Sequence, residues 1–192
     1  MWRKPSEQHL PPLTGFDRYA KQAPVSRIVP LWGGVGIGGF ADVMWHESRK
    51  TDSEEWSAVV RAGKLVAACK RVRPGKHRGP WKVLCDNESF LRAEASMAAY
   101  RRMNIELIKL PAKSPDLNPV EKMWGWARKK LRKRDLVDLS AGRRILGKTA
   151  YRHRIRTLLN SAAAQRVATK FFKRLHKTAQ LVSAAKGAAV KG

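Results

Sequence analysis

The sequence predicts an α/β fold in which helices pack on a mixed β-sheet. Short apolar runs rich in β-branched residues alternate with helical segments between residues 27 and 134. Hydrophobic residues make up 43% of the chain, which is enough for a packed core. The last third of the chain is basic and shows helical patterns only. We therefore divide the chain into a domain at residues 1–134 and a basic helical C-terminal extension at residues 135–192.

The first strand signal is glycine-rich. Residues 27–40 combine apolar residues with five glycines between positions 33 and 39, which predicts a strand followed by a tight hairpin. The same glycines resemble a dinucleotide-binding loop, but that motif requires a following helix. Residues 40–46 have no amphipathic helical pattern, so we favour the hairpin.

The other elements follow in order along the chain. A capping-box pattern at residues 51–54 opens a predicted helix that runs to Lys70. A short apolar strand then ends in Asp86, and a proline-containing loop precedes a helix that begins near Pro119. Residues 1–26 are predicted to be irregular, with one short edge strand as an option, and residues 71–80 to form a loop. A helix is predicted at 89–103 and a strand at 105–110, and the helix that begins near Pro119 ends near 134. Two further helices are predicted at 142–163 and 164–185, followed by a frayed end at 186–192.

The charge of the chain is large and uneven. Its 192 residues carry 40 Lys and Arg against 15 Asp and Glu, a formal net charge of +25. Residues 122–192 hold 20 of the basic residues and two of the acids, a net charge of +18. Such a segment needs a polyanionic partner or solvent around it, and nucleic acid is the usual partner. A solvated basic face is the alternative explanation.

Composition also excludes several classes of protein. No run approaches 18 apolar residues, so we expect no membrane span. The residues after Met1 are not apolar, so we expect no secretory signal. Cys69 and Cys85 are the only cysteines, too few for a disulfide framework or a zinc cluster.

Two carboxylates are candidates for chemistry. Asp86 ends a predicted strand, and Glu121 begins a helix that follows a strand and loop. Strand ends and helix starts meet at one edge of such sheets, so these residues could converge. Carboxylates without Cys or His ligands suit Mg²⁺ or Mn²⁺, and two such ions can assist phosphodiester cleavage. On composition alone, a cap or a solvated charge is the commoner role for a single acid.

The surrounding residues resemble motifs of the Tc/mariner superfamily of DDE transposases. Residues 114–121, Ser-Pro-Asp-Leu-Asn-Pro-Val-Glu, and Trp124 match the third catalytic motif of that family. Residues 83–87 are similar to its second motif, and 34 residues separate Asp86 from Glu121, as is typical of the Tc branch. Residues 29–34 and 2–7 are similar to segments upstream of these motifs. The resemblance covers residues 2–134.

The resemblance implies a ribonuclease H-like fold and cut-and-paste DNA transposition with Mg²⁺ or Mn²⁺ as cofactor. It implies that Asp86 and Glu121 are catalytic residues and metal ligands. It assigns supporting roles to residues of the motif loops, namely Asn87, Ser114, Pro115, Asp116, Asn118, Pro119 and Trp124. A turn at Asp116 or Asn118 explains these two residues without catalysis.

The cations of the C-terminal part are predicted to bind DNA. The candidates are Arg128, Lys129, Lys130, Arg132, Lys133, Arg134, Arg152, Arg154 and Arg156. The run at residues 128–134 could also act as a nuclear localisation signal, so we predict a nuclear protein. A homodimer is an open alternative to a monomer.

The sequence departs from the family in one important respect. The family's first catalytic Asp lies on the first strand, upstream of the segment that begins here at residue 2. Asp17, Asp42 and Asp52 do not end apolar strands in the required place. Glu88, Ser89 and Phe90 also differ from the residues that usually follow the second motif. Without its central first strand, a ribonuclease H-like sheet keeps two unpaired edges and an exposed apolar face.

Three hypotheses follow from these observations. The first is a truncated transposase that binds DNA and is catalytically incomplete. The second is a co-opted, non-catalytic nucleic-acid-binding protein that keeps the fold and the basic extension. The third is an unrelated basic protein that binds nucleic acid or the ribosome. The motifs favour the first.

Overall fold

The structure is a computed structural model that describes residues 29–46, 51–111, 114 and 117–185. The predictions for residues 1–26 and 186–192 lie outside these ranges. The strands are β1 (Leu31–Gly36), β2 (Gly39–Trp45), β3 (Trp81–Cys85) and β4 (Ile105–Lys109). The helices are α1 (Ser53–Arg61), α2 (Lys64–Val72), α3 (Glu94–Arg102), α4 (Pro119–Ser140), α5 (Lys148–Asn160) and α6 (Ala162–Ala184), with a 3₁₀ turn at Ser89–Arg92.

The strands form two sheets of two strands each, where the sequence predicted one mixed sheet. β1 and β2 pair as an antiparallel hairpin, and β3 pairs in parallel with β4 through the crossover helix α3. Antiparallel and parallel strand pairs are therefore both present, as in a mixed sheet, but no backbone hydrogen-bond ladder joins the two sheets in the described part of the chain. β1 and β3 each keep one edge without a strand partner there. β2 and β4 also each keep one such edge among the described residues, so the expectation of two unpaired edges around an absent central strand stays a prediction.

The glycines of the hairpin serve close packing. α2 lies against β1, and a side chain at Gly36 would come within 2.7 Å of the Val72 carbonyl oxygen. Gly39 adopts a positive φ of 113°, and a Cβ there would meet the Gln165 amide of α6. That amide oxygen accepts a hydrogen bond from the Phe40 N–H at 2.8 Å. The structure thus confirms the hairpin and gives the glycine run a packing role.

Several helix ends differ from the sequence predictions. Gly63 adopts a left-handed φ of 74° and divides the predicted helix 51–70 into α1 and α2. Asp52, rather than Thr51, caps α1 by accepting a hydrogen bond from the Glu55 N–H at 2.7 Å. The Thr51 hydroxyl instead contacts the buried His46 ring at 2.7 Å. Ser161 caps α6 and so sets the boundary between α5 and α6.

Two hydrophobic cores lie around the hairpin. The first combines residues of β2, α1, α2, β3, α3 and β4, with Trp56 and Tyr100 almost fully buried. The second combines Phe40 with residues of α4, α5 and α6, including the fully buried Met123. α4 also continues through residue 134, so the extension shares a core with the hairpin. The division at residues 134 and 135 stays a prediction.

An aromatic cluster joins the two sheets. Trp32 of β1 lies 4.5 Å from Trp56 of α1, and Phe90, just after β3, lies 5.7 Å from Trp56 between ring centroids. The Trp56 Nε1–H donates a hydrogen bond to the Tyr100 hydroxyl at 2.5 Å. Side-chain packing here takes the place of a backbone ladder. None of the helices in the described ranges has the length and hydropathy needed to cross a membrane.

We predict that Tyr100→Phe destabilises the protein by about 1–3 kcal/mol, because it leaves the buried Trp56 N–H without an acceptor. Urea unfolding followed by tryptophan fluorescence measures this change. The control is Tyr151→Phe on α5, outside the cluster. An unchanged unfolding free energy in Tyr100→Phe would show that the hydrogen bond does not hold the cluster.

Candidate active site

The candidate site lies in the cleft between the two sheets. β1 and β3 line a cavity of about 310 Å³, and α2 contributes Leu65 and Ala68 to its apolar wall. Asp86, Glu88 and Glu121 also line this cavity. The structure therefore brings Asp86 and Glu121 to one cleft, as their positions at a strand end and a helix start predicted.

Asp86 is held directly after β3. The Leu110 N–H donates to the Cys85 carbonyl at 2.8 Å, and the Asn87 side-chain amide donates to the Leu110 carbonyl at 2.9 Å. These bonds tie the end of β3 to the end of β4. Asp86 Oδ1 is buried and has no hydrogen-bond partner. A buried carboxylate oxygen without a donor is costly, so this atom is suited to a cation or another donor that enters the cleft.

Glu121 is placed by the start of α4. The Asn118 side chain accepts a hydrogen bond from the Val120 N–H at 3.3 Å and caps the helix. Pro119 is buried in the first turn, where proline is favoured, and Glu121 follows it with its side chain exposed. Trp124, one turn further, packs edge-on against Phe40 at 5.5 Å. The motif thus caps and anchors the helix that carries the acid.

The rest of the motif loop is described in part. The Ser114 carbonyl accepts a hydrogen bond from the Leu117 N–H at 3.1 Å, which closes a turn before α4. Pro115 and Asp116 lie outside the described residues. Their supporting roles stay predictions.

Glu88 is a third acid at the cleft that the sequence analysis did not assign to the site. Partial burial raises its pKa, and the neighbouring Asp86 and Glu121 carboxylates raise it further. A hydrogen bond with Trp32 acts in the opposite direction. The one available signal was its position two residues after Asp86.

The donor chemistry fits a hard divalent cation only in part. Asp86 and Glu121 offer carboxylate oxygens, and the unpartnered Asp86 Oδ1 is a suitable ligand atom. Across the described ranges, however, no three acidic, His or Cys side chains are grouped closely enough to hold an ion. The described residues therefore bring two carboxylates of the predicted kind to the cleft, and their role as metal ligands stays a prediction.

The other candidate aspartates are engaged elsewhere. Asp42 accepts a hydrogen bond from the Trp45 Nε1–H at 2.6 Å and lies 3.9 Å from an Arg71 guanidinium nitrogen. Asp52 caps α1. Asp17 lies outside the described residues. The thiols are also poor candidates for chemistry, because burial raises the pKa of both Cys69 and Cys85 to about 11.

The predicted DNA-binding cations fall into two groups. All six of those on α4 are exposed, on either side of the buried Leu131. On α5, Arg152 is half-buried and Arg156 is exposed, whereas Arg154 is held by Asp135 and Asp138 of α4. The Arg154 ion pair also lowers the pKa of Asp138. Arg154 therefore joins α4 to α5, and its contact with DNA stays a prediction.

This arrangement, an α/β fold with carboxylates at the end of a parallel strand and the start of a helix, is typical of metal-dependent nucleases. A family model described as DDE superfamily endonuclease matches residues 43–141, just over half of the chain. The chain belongs to this family, and the match includes both Asp86 and Glu121. No curated protein sequence matches the chain significantly.

Solved structures show the same fold. The chain is similar to the crystal structure of the catalytic domain of Mos1 mariner transposase, with a TM-score of 0.58 and 16% identity over 93% of this chain and 91% of that one. It is also similar to this catalytic domain with raltegravir and Mn, with a TM-score of 0.56 and 16% identity over 91% and 90%. For the structure with raltegravir and Mg, the TM-score is 0.57 and the identity 17%, with the same coverage. The ribonuclease H-like fold is confirmed by these similarities and the DDE family by the family model, whereas the Tc/mariner assignment stays a prediction.

We predict that Glu88→Gln stabilises the folded protein at neutral pH. A raised pKa means that the folded state favours the protonated form of Glu88, so ionisation costs stability as the pH rises through and above the ordinary Glu range. Glutamine removes that cost. The gain in melting temperature should vanish below about pH 3, where glutamate is protonated in both states.

Thermal unfolding across this pH range tests the prediction. Glu54→Gln is the control, because Glu54 lies in the first turn of α1, where negative charge is favourable. If Glu88→Gln raised the melting temperature equally at acidic and neutral pH, the stabilisation would not come from the charge of Glu88.

Proposed function

We propose that this protein is a transposase-derived DNA-binding protein whose endonuclease site is catalytically incomplete. Asp86 and Glu121 are its two metal-ligating and catalytic carboxylates, and DNA is its substrate class. The observation that carries the proposal is the buried, unpartnered Oδ1 of Asp86, a residue that lines the same cleft as Glu121. The membership of the chain in the DDE endonuclease family supports the same function.

Mg²⁺ or Mn²⁺ is the proposed cofactor, with Asp86 and Glu121 as its protein ligands. The oxygen donors support this choice, and two of the structurally similar Mos1 structures are described with Mn or Mg. In nucleases, such ions activate the attacking water and stabilise the leaving oxygen. The residues of this chain would orient the ligands: Asn87 ties Asp86 to the end of β4, and Asn118 caps the helix that carries Glu121.

The incompleteness of the site is supported by where the other acids lie. Asp42 and Asp52, which could have replaced the family's first catalytic Asp, are engaged in a hydrogen bond to Trp45 and in the cap of α1. Glu88 adds negative charge close to Asp86 and Glu121 without forming a three-ligand group with them among the described residues. Two carboxylates alone hold a divalent cation weakly.

DNA binding is supported by the charge around the cleft. The exposed cations of α4 begin at Arg128, about 10 Å along the helix axis from Glu121, at 1.5 Å per residue. DNA held by these cations would pass close to the two carboxylates. Most of this contact would be to phosphates, so binding should weaken steeply with salt.

We predict that the protein binds duplex DNA in a salt-dependent manner and does not nick it. Supercoiled plasmid incubated with Mn²⁺ measures nicking, and fluorescence anisotropy measures binding. Asp86→Asn and Glu121→Gln should leave binding unchanged or slightly tighter, because each removes a negative charge near the DNA. Robust nicking that disappears in Glu121→Ala would show that the site is complete.

A co-opted, non-catalytic nucleic-acid-binding protein would also bind DNA without nicking it in that assay. Its binding would be independent of DNA sequence. Selective binding to inverted repeats that flank the gene would favour a transposase remnant over that alternative.

We also propose that the protein is nuclear, because of the basic run at residues 128–134. The molar mass measured by light scattering distinguishes a monomer from a homodimer.

A further inference from the structure

The cleft between the two sheets runs along the edges of two strands. Residues 31–35 of β1 line it one after another, and so do residues 82–86, from β3 and the position that follows it. Successive side chains of a strand point to opposite faces, so a space over one face is lined by every second residue. A space lined by consecutive residues lies beside the edge of a strand. The cleft is therefore bounded by an edge of β1 and an edge of β3.

A hydrophobic core lies on each side of these edges. Trp32 of β1 packs in the first core, whereas Leu31 and Val35 pack in the second. The helix α2 belongs to the first core and α6 to the second, and both helices line the cleft. Leu84 and Phe172 also line it, and each is 36% exposed. A segment placed between β1 and β3 would have a helix on either face, so its side chains would need to be apolar on both faces.

The cleft is acidic at one end. Asp86 follows the last residue of β3, and Glu88 and Glu121 line the cleft with it. Burial raises the pKa of Glu88, and the two other carboxylates raise it further, which indicates that the three acids lie close together. Among the described residues, the only cation that lines the cleft is Lys82, near the start of β3, whose Nζ lies 3.9 Å from Glu106 Oε2. The acidic end is therefore complementary to a positive charge.

We infer that the cleft binds an extended segment of another protein, which adds as a strand between β1 and β3, is apolar over five or six residues and ends in a lysine or arginine. The length is that of β3 and β1, which have five and six residues. Open strand edges offer N–H and C=O groups to an added strand, whose main chain then supplies affinity. The cation of the segment would meet the carboxylates after β3. This inference goes beyond the proposed function and does not depend on DNA binding.

The test is the binding of a synthetic peptide, measured by fluorescence anisotropy with EDTA present so that no metal ion occupies the acidic end. The peptide has five valine or isoleucine residues and one terminal lysine, on an uncharged Gly-Ser tail. Two versions carry the lysine at the amino or the carboxyl end, because strands pair in either direction. We expect one version to bind.

Two changes to the binding peptide separate the contributions of charge and backbone. Glutamine in place of lysine should weaken binding about tenfold, because hydrogen bonds to charged groups are lost. Proline in place of the central residue should also weaken binding, because it removes an N–H donor from the added strand.

Hydrogen exchange of the backbone amides, measured by NMR, locates the bound peptide. The amides of β1 and β3 that face the cleft should exchange more slowly once the peptide is bound. The amides on the outer edges of β2 and β4 should not change, although these edges also lack a strand partner among the described residues.

Gly34→Leu tests the site from the side of the protein. A Cβ at Gly34 would meet no atom within 4 Å, so leucine fits the fold and takes up space in the cleft that Gly34 lines. It should weaken peptide binding about tenfold by crowding the added strand. Gly125→Leu on α4 is the matched control, because a Cβ there also meets no atom within 4 Å and Gly125 does not line the cleft. Its affinity for the peptide should be unchanged.

Each other outcome counts against the inference. Failure of both lysine peptides to bind would overturn it, and so would protection gained on β2 or β4 in place of β1 and β3. Equal affinity of the lysine and glutamine peptides would overturn the requirement for a cation. Slow exchange in β1 and β3 before any peptide is added would show that another part of the chain or a second copy already fills the cleft. If Gly34→Leu unfolds the protein, the peptide series and the exchange data decide the question. DNA binding is measured separately, so the proposed function can fail or hold independently.

Discussion

The contact of Trp56 with Trp32 and Phe90 is the interaction on which the arrangement of the two sheets depends. β1 and β2 form one half, β3 and β4 the other, and no strand ladder joins them in the described chain. The aromatic cluster spans the halves, and the hydrogen bond from Trp56 to Tyr100 adds α3 to it. Burial of large aromatic side chains supplies both area and a preferred geometry. Together with the other residues of the first core, this cluster sets the position of the end of β3 relative to β1.

The candidate site follows from that arrangement. Asp86 lies where β3 ends, Glu121 lies where α4 begins, and both line the cleft between the two sheets. The Asp86 oxygen is buried without a donor, and Glu88 brings a third negative charge to the same place. Such a concentration of carboxylates is unfavourable unless a cation or a proton compensates it. The basic helices around the second core supply long-range positive charge.

The sequence was informative wherever one short segment determines the structure. Asn118, Pro119 and Glu121 lie within four residues, so their order predicted a capped helix that presents an acid. The apolar run that ends in Asp86 predicted a strand, and the glycines between 33 and 39 predicted the hairpin.

The sequence was less informative where distant segments meet. The division of one predicted helix at Gly63 depends on a left-handed backbone that a glycine permits but does not require. Asp52 replaced Thr51 as a cap because the Thr51 hydroxyl contacts His46. The packing of α5 decides that Arg154 pairs with Asp135 and Asp138 and that Arg152 and Arg156 contact Trp45, and no local pattern specifies this packing.

Hydrogen exchange measured for each backbone amide by NMR tests whether β1 and β3 face an open cleft. We expect slow exchange for amides that bond across β1 to β2 and from β3 to β4, and fast exchange for the amides of β1 and β3 that face the cleft. Uniform protection along both strands would show that another strand fills the cleft, and would contradict this expectation.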